Sequence, residues 1–461
     1  MTDQARSDIA LLYRRAGFGA RPAELDAWAT EGYEPAVERL LAGTGSAPDP
    51  TGDRVAPPSF TPYPTPAGPK GSPQALAAAK AINRDFAAEL AALQQWWMDR
   101  MIVTSTPLRE KLTLLWHGHF ATGVSKVRDP QLMYMQNELF RTAGAGSFEA
   151  LTQAVAKDGA MMIWLDTGTD KKAHPNENFA REMMELFTLG LGNYTQDDVV
   201  AAARGFTGWT FDRRTLRFVY RPAQHYAGTS TYLGHSGELT GEEVISIAVH
   251  QPASPRFVAA KLWSHLAYPV SPSDPVIGDL LGAYGSGLDL TSLLRAIFLH
   301  PGFRSPSART GMVKQPIEYL VGAARALGLD ARLDRLGPDG GVPTTPAATG
   351  TRPASRSLAQ AATLLAQTPF NPPNVGGWGE NTYWLDTATA DLRLEIALVL
   401  ARAADLSGVT AQPVSARPAA VAELLGLDGW GATTAAALAH QAAEPEALVA
   451  LALTAPEYVL A

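Results

Sequence analysis

Between residues 74 and 103 the apolar side chains Leu76, Ile82, Phe86, Leu90, Leu93, Trp97 and Met101 recur at three-, four- and six-residue spacings. A helix turns once in about 3.6 residues, so this spacing lines them along one side of a helix; a strand alternates every second residue. Similar patterns predict helices over 107–117, 130–142, 148–157, 176–189, 195–207, 255–266, 291–300, 316–327 and 356–367. Pro107, Pro130 and Pro316 stand at helix starts, where the missing N–H costs nothing. Thr195 with Asp198 resembles a capping box, Asp replacing the usual Glu.

One region reads otherwise. Residues 211–215 and 216–220 are expected to pair as a hairpin that delivers His225 into a loop. The fold class expected is therefore all-α, a single large multi-helix domain with one small β-hairpin. Four stretches follow in order: N-terminal helices over 1–43, a Pro/Gly-rich surface loop over 44–73, the main helical body over 74–410, and short C-terminal helices over 411–461. The body carries a loose segment near 337–354.

Composition narrows function more than fold. Hydrophobic residues make up 46% and charged residues 18% of the 461, enough for a sizeable core. The net charge of −7, without any local cluster of lysine and arginine, argues against a nucleic-acid binder. There is no cysteine, which removes disulfides, thiolate metal sites and cysteine nucleophiles. No apolar run approaches the ~20 residues that span a bilayer. The start, Met1-Thr2-Asp3-Gln4-Ala5-Arg6, lacks the pattern of a signal peptide, so a cytoplasmic location is expected. Walker loops, dinucleotide fingerprints and Gly-x-Ser-x-Gly elbows are absent from the sequence.

Several long motifs stand out. They are Trp116-His117-Gly118-His119-Phe120, the run from Pro175 to Gly190 containing Asn176-Glu177-Asn178-Phe179-Ala180-Arg181-Glu182, and Ala203-Arg204-Gly205-Phe206-Thr207-Gly208-Trp209. Tyr194 to Val199, Lys314-Gln315-Pro316 and the run from Pro369 to Trp378 complete the set. Together they resemble the bacterial family known as "domain of unknown function 1800", over nearly the whole chain. The resemblance implies an all-helical protein and, from gene neighbourhood, a partner of the "domain of unknown function 1501" family. Members often carry His-Asp where this chain has His225-Tyr226.

Among nine histidines only His117 and His119 are close in sequence. Two positions apart on a helix they point about 200° away from each other, so both reach one site only if Gly118 ends the helix. On the 176–189 helix, Asn178, Glu182 and Glu185 form a stripe flanking the apolar face. Carboxylates there need partners, such as Arg181, Arg204, a histidine or a metal. The candidate catalytic set is thus His117, His119, Glu182, Glu185, Asn178, Arg204 and His225. Within it, His117, His119, Glu182 and His225 are the candidate ligands of a divalent metal, zinc, manganese or iron. His265 and Lys314 read as packing or solvated residues. Two functions stay open: an enzyme built on these groups, and a non-catalytic binding or assembly protein.

Overall fold

The protein is described here from a computed structural model, over residues 3–61, 68–169, 171–329, 341–343 and 355–460. It is mainly helical, as the apolar spacing demands. The loose segment expected near 337–354 lies outside the described residues except for 341–343. No helix among the described residues is long and apolar enough to cross a membrane.

The helix Pro107–His119 sits at the centre. Every residue in it is buried apart from Gly118. Its Leu108, Leu112, Leu115 and Trp116 belong to one apolar cluster, packed with the N-terminal helices and the 148–303 region. Leu114, on another side, belongs to a second cluster with Trp97, Ile317 and the C-terminal helices. Asp3–Gly17, Pro73–Val103 and Pro130–Ala143 surround it, and Pro316–Ala326, also buried along its whole length, lies within the second cluster. Ser72 caps the long Pro73–Val103 helix, accepting from the Ala75 amide at 3.2 Å.

A helix without a solvent face must satisfy its polar side chains internally. Glu110, fully buried, accepts from Arg100 Nε at 2.8 Å, Arg141 Nε at 2.6 Å, Arg141 Nη2 at 3.0 Å and Trp97 Nε1 at 3.2 Å. Burial alone raises the pKa of such a carboxyl, but the Arg141 and Arg100 charges outweigh it and hold Glu110 below its ordinary value. Arg109 donates to the carbonyls of Gly45 and Ala47, and it lies 3.4 Å from Asp49. Asp49 also accepts from Thr104 and Ser105, at 2.6 and 2.8 Å. Residues 45–49, at the start of the 44–73 stretch, are thereby pinned to the central helix and to the turn before it. Lys111 pairs with Glu318 of Pro316–Ala326, tying the two buried helices together.

The strands depart from expectation. Trp209–Asp212 pairs antiparallel with Arg217–Tyr220, opposing Phe211 to Phe218, so the hairpin foreseen is present, with residues 213–216 as its turn and the first strand beginning two residues earlier. A second hairpin, Ser230–Tyr232 with His235–Gly237, was not expected. Its turn, Leu233-Gly234, has positive φ at both central positions (46° and 85°), as a two-residue connection between twisted strands requires. The Leu233 amide is held by Asp198, which also closes the capping box with Thr195. A third short pair joins Gly341–Pro343 to Ser355–Ser357. The helix Thr387–Ala403 was not foreseen either; it packs against Pro445–Thr454.

Replacing Glu110 by Gln leaves two buried guanidinium groups facing a neutral amide. Glu110→Gln is expected to cost about 3–5 kcal/mol of stability in denaturant unfolding. Glu38→Gln, in the exposed pair with Arg295, is expected to cost less than about 1 kcal/mol. Equal losses at the two positions would contradict the role given to Glu110.

Candidate functional site

The central helix does not end at Gly118; it runs through His119, and the Phe120 amide bonds back to the Trp116 carbonyl at 2.8 Å. The two histidines therefore diverge, and the condition under which both could reach one site, a helix ending at Gly118, is not met. His117 enters the core, edge-on to Trp97 and Trp378 and beside Phe140 and Phe370. Its Nε2 is buried without a hydrogen-bond partner among the described residues, and burial pushes its pKa down to about 3.

His119 turns the other way, between Trp116, Phe120, Phe187 and Phe257. Its Nε2–H donates to the Phe187 carbonyl at 3.0 Å. Burial foremost, then the Lys261 and His265 charges, bring it down to about 3 as well. The ring is neutral at pH 7, with Nδ1 carrying the lone pair.

Gly118 has a different task from breaking the helix. Gly377 has φ of 87°, and a Cβ there would lie 2.3 Å from the Gly118 carbonyl oxygen. The Pro369–Trp378 run thus lies with its backbone on the C-terminal turn of the central helix, setting Phe370 and Trp378 against His117. A Cβ on Gly118 itself would meet only Trp378, at an ordinary 3.9 Å.

The stripe Asn178-Glu182-Glu185 is interrupted. The α-helix Glu177–Glu182 passes into a π-helical turn, Met183–Thr188, whose wider winding breaks the rule of about 100° per residue behind the stripe. Asn178 donates to the Leu165 carbonyl at 3.4 Å. Arg181 pairs with Glu177 and Gln196 instead of Glu185. Glu182 is half-buried, and burial together with the Glu185 charge raises its pKa. Glu185 accepts from the Tyr194 hydroxyl at 2.6 Å.

Two other expected members lie apart. Arg204 sits over the Tyr226 ring, 5.0 Å from its centroid. His225 donates from Nδ1 to the Thr207 carbonyl at 2.9 Å and meets Tyr220 edge-on; its Nε2 is buried and without a partner among the described residues. Among the described residues no group of three or more His, Cys, Asp or Glu side chains is placed to hold a metal ion. The set His117, His119, Glu182 and His225 is therefore not gathered into one coordination centre.

What the fold does gather is a cleft of about 280 Å³. His119 and Gly118 line it from the central helix, Glu185 and Leu186 from the π-helical turn, and Leu191 from the following loop. Phe257, Lys261 and His265 come from the helix Ala253–Leu266, Gln315 and Glu318 from the start of Pro316–Ala326, and Trp378, Glu380 and Trp384 from the opposite wall. Lys261 Nζ lies 3.1 Å from Glu380, and His265 Nε2 lies 3.6 Å from the same oxygen. His265 Nδ1 is oriented by donating to the Lys261 carbonyl at 2.9 Å. Burial raises the Glu380 carboxyl, but His265 and Lys261 outweigh it and hold the group below its ordinary value.

Several of these groups were read differently from the sequence. His265 belongs to the cleft instead of being a packing residue. Its spacing of four from Lys261 on one helix face was the available signal. Glu380 follows the Pro369–Trp378 run by two residues. Lys314 is no solvated charge: it is buried, donating to the Tyr458 carbonyl at 2.6 Å with its Nζ 3.5 Å from the centroid of that ring.

The state of His117 has a measurable consequence. An unfolded His117 takes a proton below its ordinary value of 6.5, while the buried one resists until about 3. Its contribution is present above pH 6.5 and is lost as pH falls toward 3, by up to about 1.4 kcal/mol per pH unit. His117→Leu is expected to flatten the fall in stability across that window. Curves of stability against pH that stay parallel for variant and wild type would contradict it.

No curated protein and no solved structure matches the chain. Residues 11–460, nearly the whole length, match the family described as "Protein of unknown function (DUF1800)", and the chain belongs to that family.

Proposed function

We propose that the His119 cleft is the ligand site of the protein, and that His119 acts there as a neutral hydrogen-bond acceptor. The observation that carries this reading is the state of His119: 9% exposed, on the cleft wall, fixed by the Phe187 carbonyl, with Nδ1 lacking a partner among the described residues. With the ring held through Nε2, Nδ1 is a fixed acceptor left open toward the cleft, which suits it to recognise a ligand's donor. Its depressed basicity makes it a poor general base, since efficient bases operate near the working pH. The apolar walls supplied by Leu114, Leu115, Phe257, Trp378 and Trp384 suit a small molecule with an apolar body.

An enzymatic reading is favoured by one feature, the Lys261–Glu380–His265 group. There an oriented imidazole faces a carboxylate across the cleft from His119. In that reading His265 and Glu380 move protons while His119 holds the substrate.

Filling the cleft tests the ligand site. Gly118→Leu projects a side chain beside Trp378 with room at its Cβ, so the variant is expected to fold. In ligand-observed NMR with a fragment library, the fragments that bind the wild type are expected to lose binding to Gly118→Leu. Fragments bound equally by both proteins would place the ligand site elsewhere. Gly377→Ala, by contrast, meets backbone at 2.3 Å and a left-handed φ, and is expected to destabilise by more than about 2 kcal/mol in thermal unfolding.

A further inference from the structure

The cleft's uncommitted hydrogen-bonding atoms are unequal in kind. Gln315 and Glu318 bond to each other, and Glu318 also takes the Lys111 ammonium. Asn381 is used by the Val313 amide and the Gly311 carbonyl, and Ser264 by both backbone groups of Val270. Donors remain on the Lys261 ammonium and on the Trp378 and Trp384 indoles; beside them stand His119 Nδ1, the second oxygen of Glu185 and the second oxygen of Glu380. The last three are acceptors when the carboxyls are ionised.

Charge points the same way. Lys261 is matched by Glu380 and Lys111 by Glu318. Glu185 forms no ion pair among the described residues: Arg181 is engaged with Glu177, and the only partner of Glu185 is the neutral Tyr194 hydroxyl. The cleft thus presents one unmatched carboxylate and one neutral acceptor between aromatic walls, Phe257 and Trp378. Glu182, one turn before Glu185, feels the Glu185 charge and adds to the negative potential there, while His265 faces Glu380.

Resting on the reading of this cleft as the ligand site, we propose that its ligand is an organic cation, a primary ammonium carried on an apolar or aromatic body. The ammonium places its charge against Glu185, donates to His119 Nδ1, and gains from the faces of the aromatic walls. An anion would meet the Glu185 charge and would have to compete with Glu380 for the Lys261 ammonium. A neutral alcohol supplies one donor where the site offers three acceptors.

Benzylammonium, benzyl alcohol and benzoate share a ring and differ in head group, so their binding isolates charge. By calorimetry at about pH 8, where a free imidazole is neutral, benzylammonium is expected to bind at least about tenfold more tightly than benzyl alcohol, and benzoate more weakly still. Glu185→Gln is expected to erase the advantage of the cation while leaving benzyl alcohol unchanged. Equal or tighter binding of the alcohol or of benzoate overturns the proposal, as does absence of benzylammonium binding, or an advantage that survives in Glu185→Gln. The comparison of probes on the wild type decides the charge class even if that variant fails to fold. If benzyl alcohol binds the wild type but not Gly118→Leu, and the cation shows no advantage, the ligand site stands and only its cationic class fails.

Discussion

The structure depends on a helix that has no face toward water yet carries Arg109, Glu110, Lys111, His117 and His119. A helix hydrophobic all round would be the simple way to build such a centre. Here each charge instead draws a different element inward. Asp49 brings the loop after the N-terminal helices, Arg100 the long helix before the centre, Arg141 the helix after it, and Glu318 the second buried helix. Breaking any one leaves an unmatched charge in a low-dielectric interior, which penalises alternative packings strongly. The two apolar clusters meet along this helix, and the polar pairs fix how they meet.

The same helix explains where the cleft lies. Its last turn has the Pro369–Trp378 run on one side through the Gly118–Gly377 contact, and the π-helical turn on another through His119 and Phe187. Between them remains the space lined by Glu185, Lys261, His265 and Glu380. The cleft is thus a by-product of how three motif segments pack, and its polar groups come from segments far apart in sequence.

Much of this was legible from residue spacing. Helix periodicity, the prolines at helix starts and the Thr195–Asp198 cap all correspond to observed elements. The second hairpin escaped because its strands are three residues long, too short for alternation to show. The candidate site was legible by halves. His119 and Glu185 were singled out and do line the cleft, whereas His117, Asn178, Arg204 and His225 serve the core or local backbone. Two physical causes account for the errors. The sequence could not show that the helix continues through Gly118, whose carbonyl packs against Gly377, 259 positions away. The stripe on 176–189 assumed uniform α-helical winding, which a π-helical turn does not keep. Lys261, His265 and Glu380 carry no local motif, so only tertiary packing brings them forward.

The account stands on His119 being a neutral acceptor at the cleft wall. Nitrogen-15 NMR of its imidazole reports both charge and tautomer directly. The account predicts a neutral ring protonated on Nε2 and unchanged on acidification to about pH 5, well above the value of about 3 that burial imposes. An imidazolium signal at about pH 6, or a ring protonated on Nδ1 instead, would contradict it.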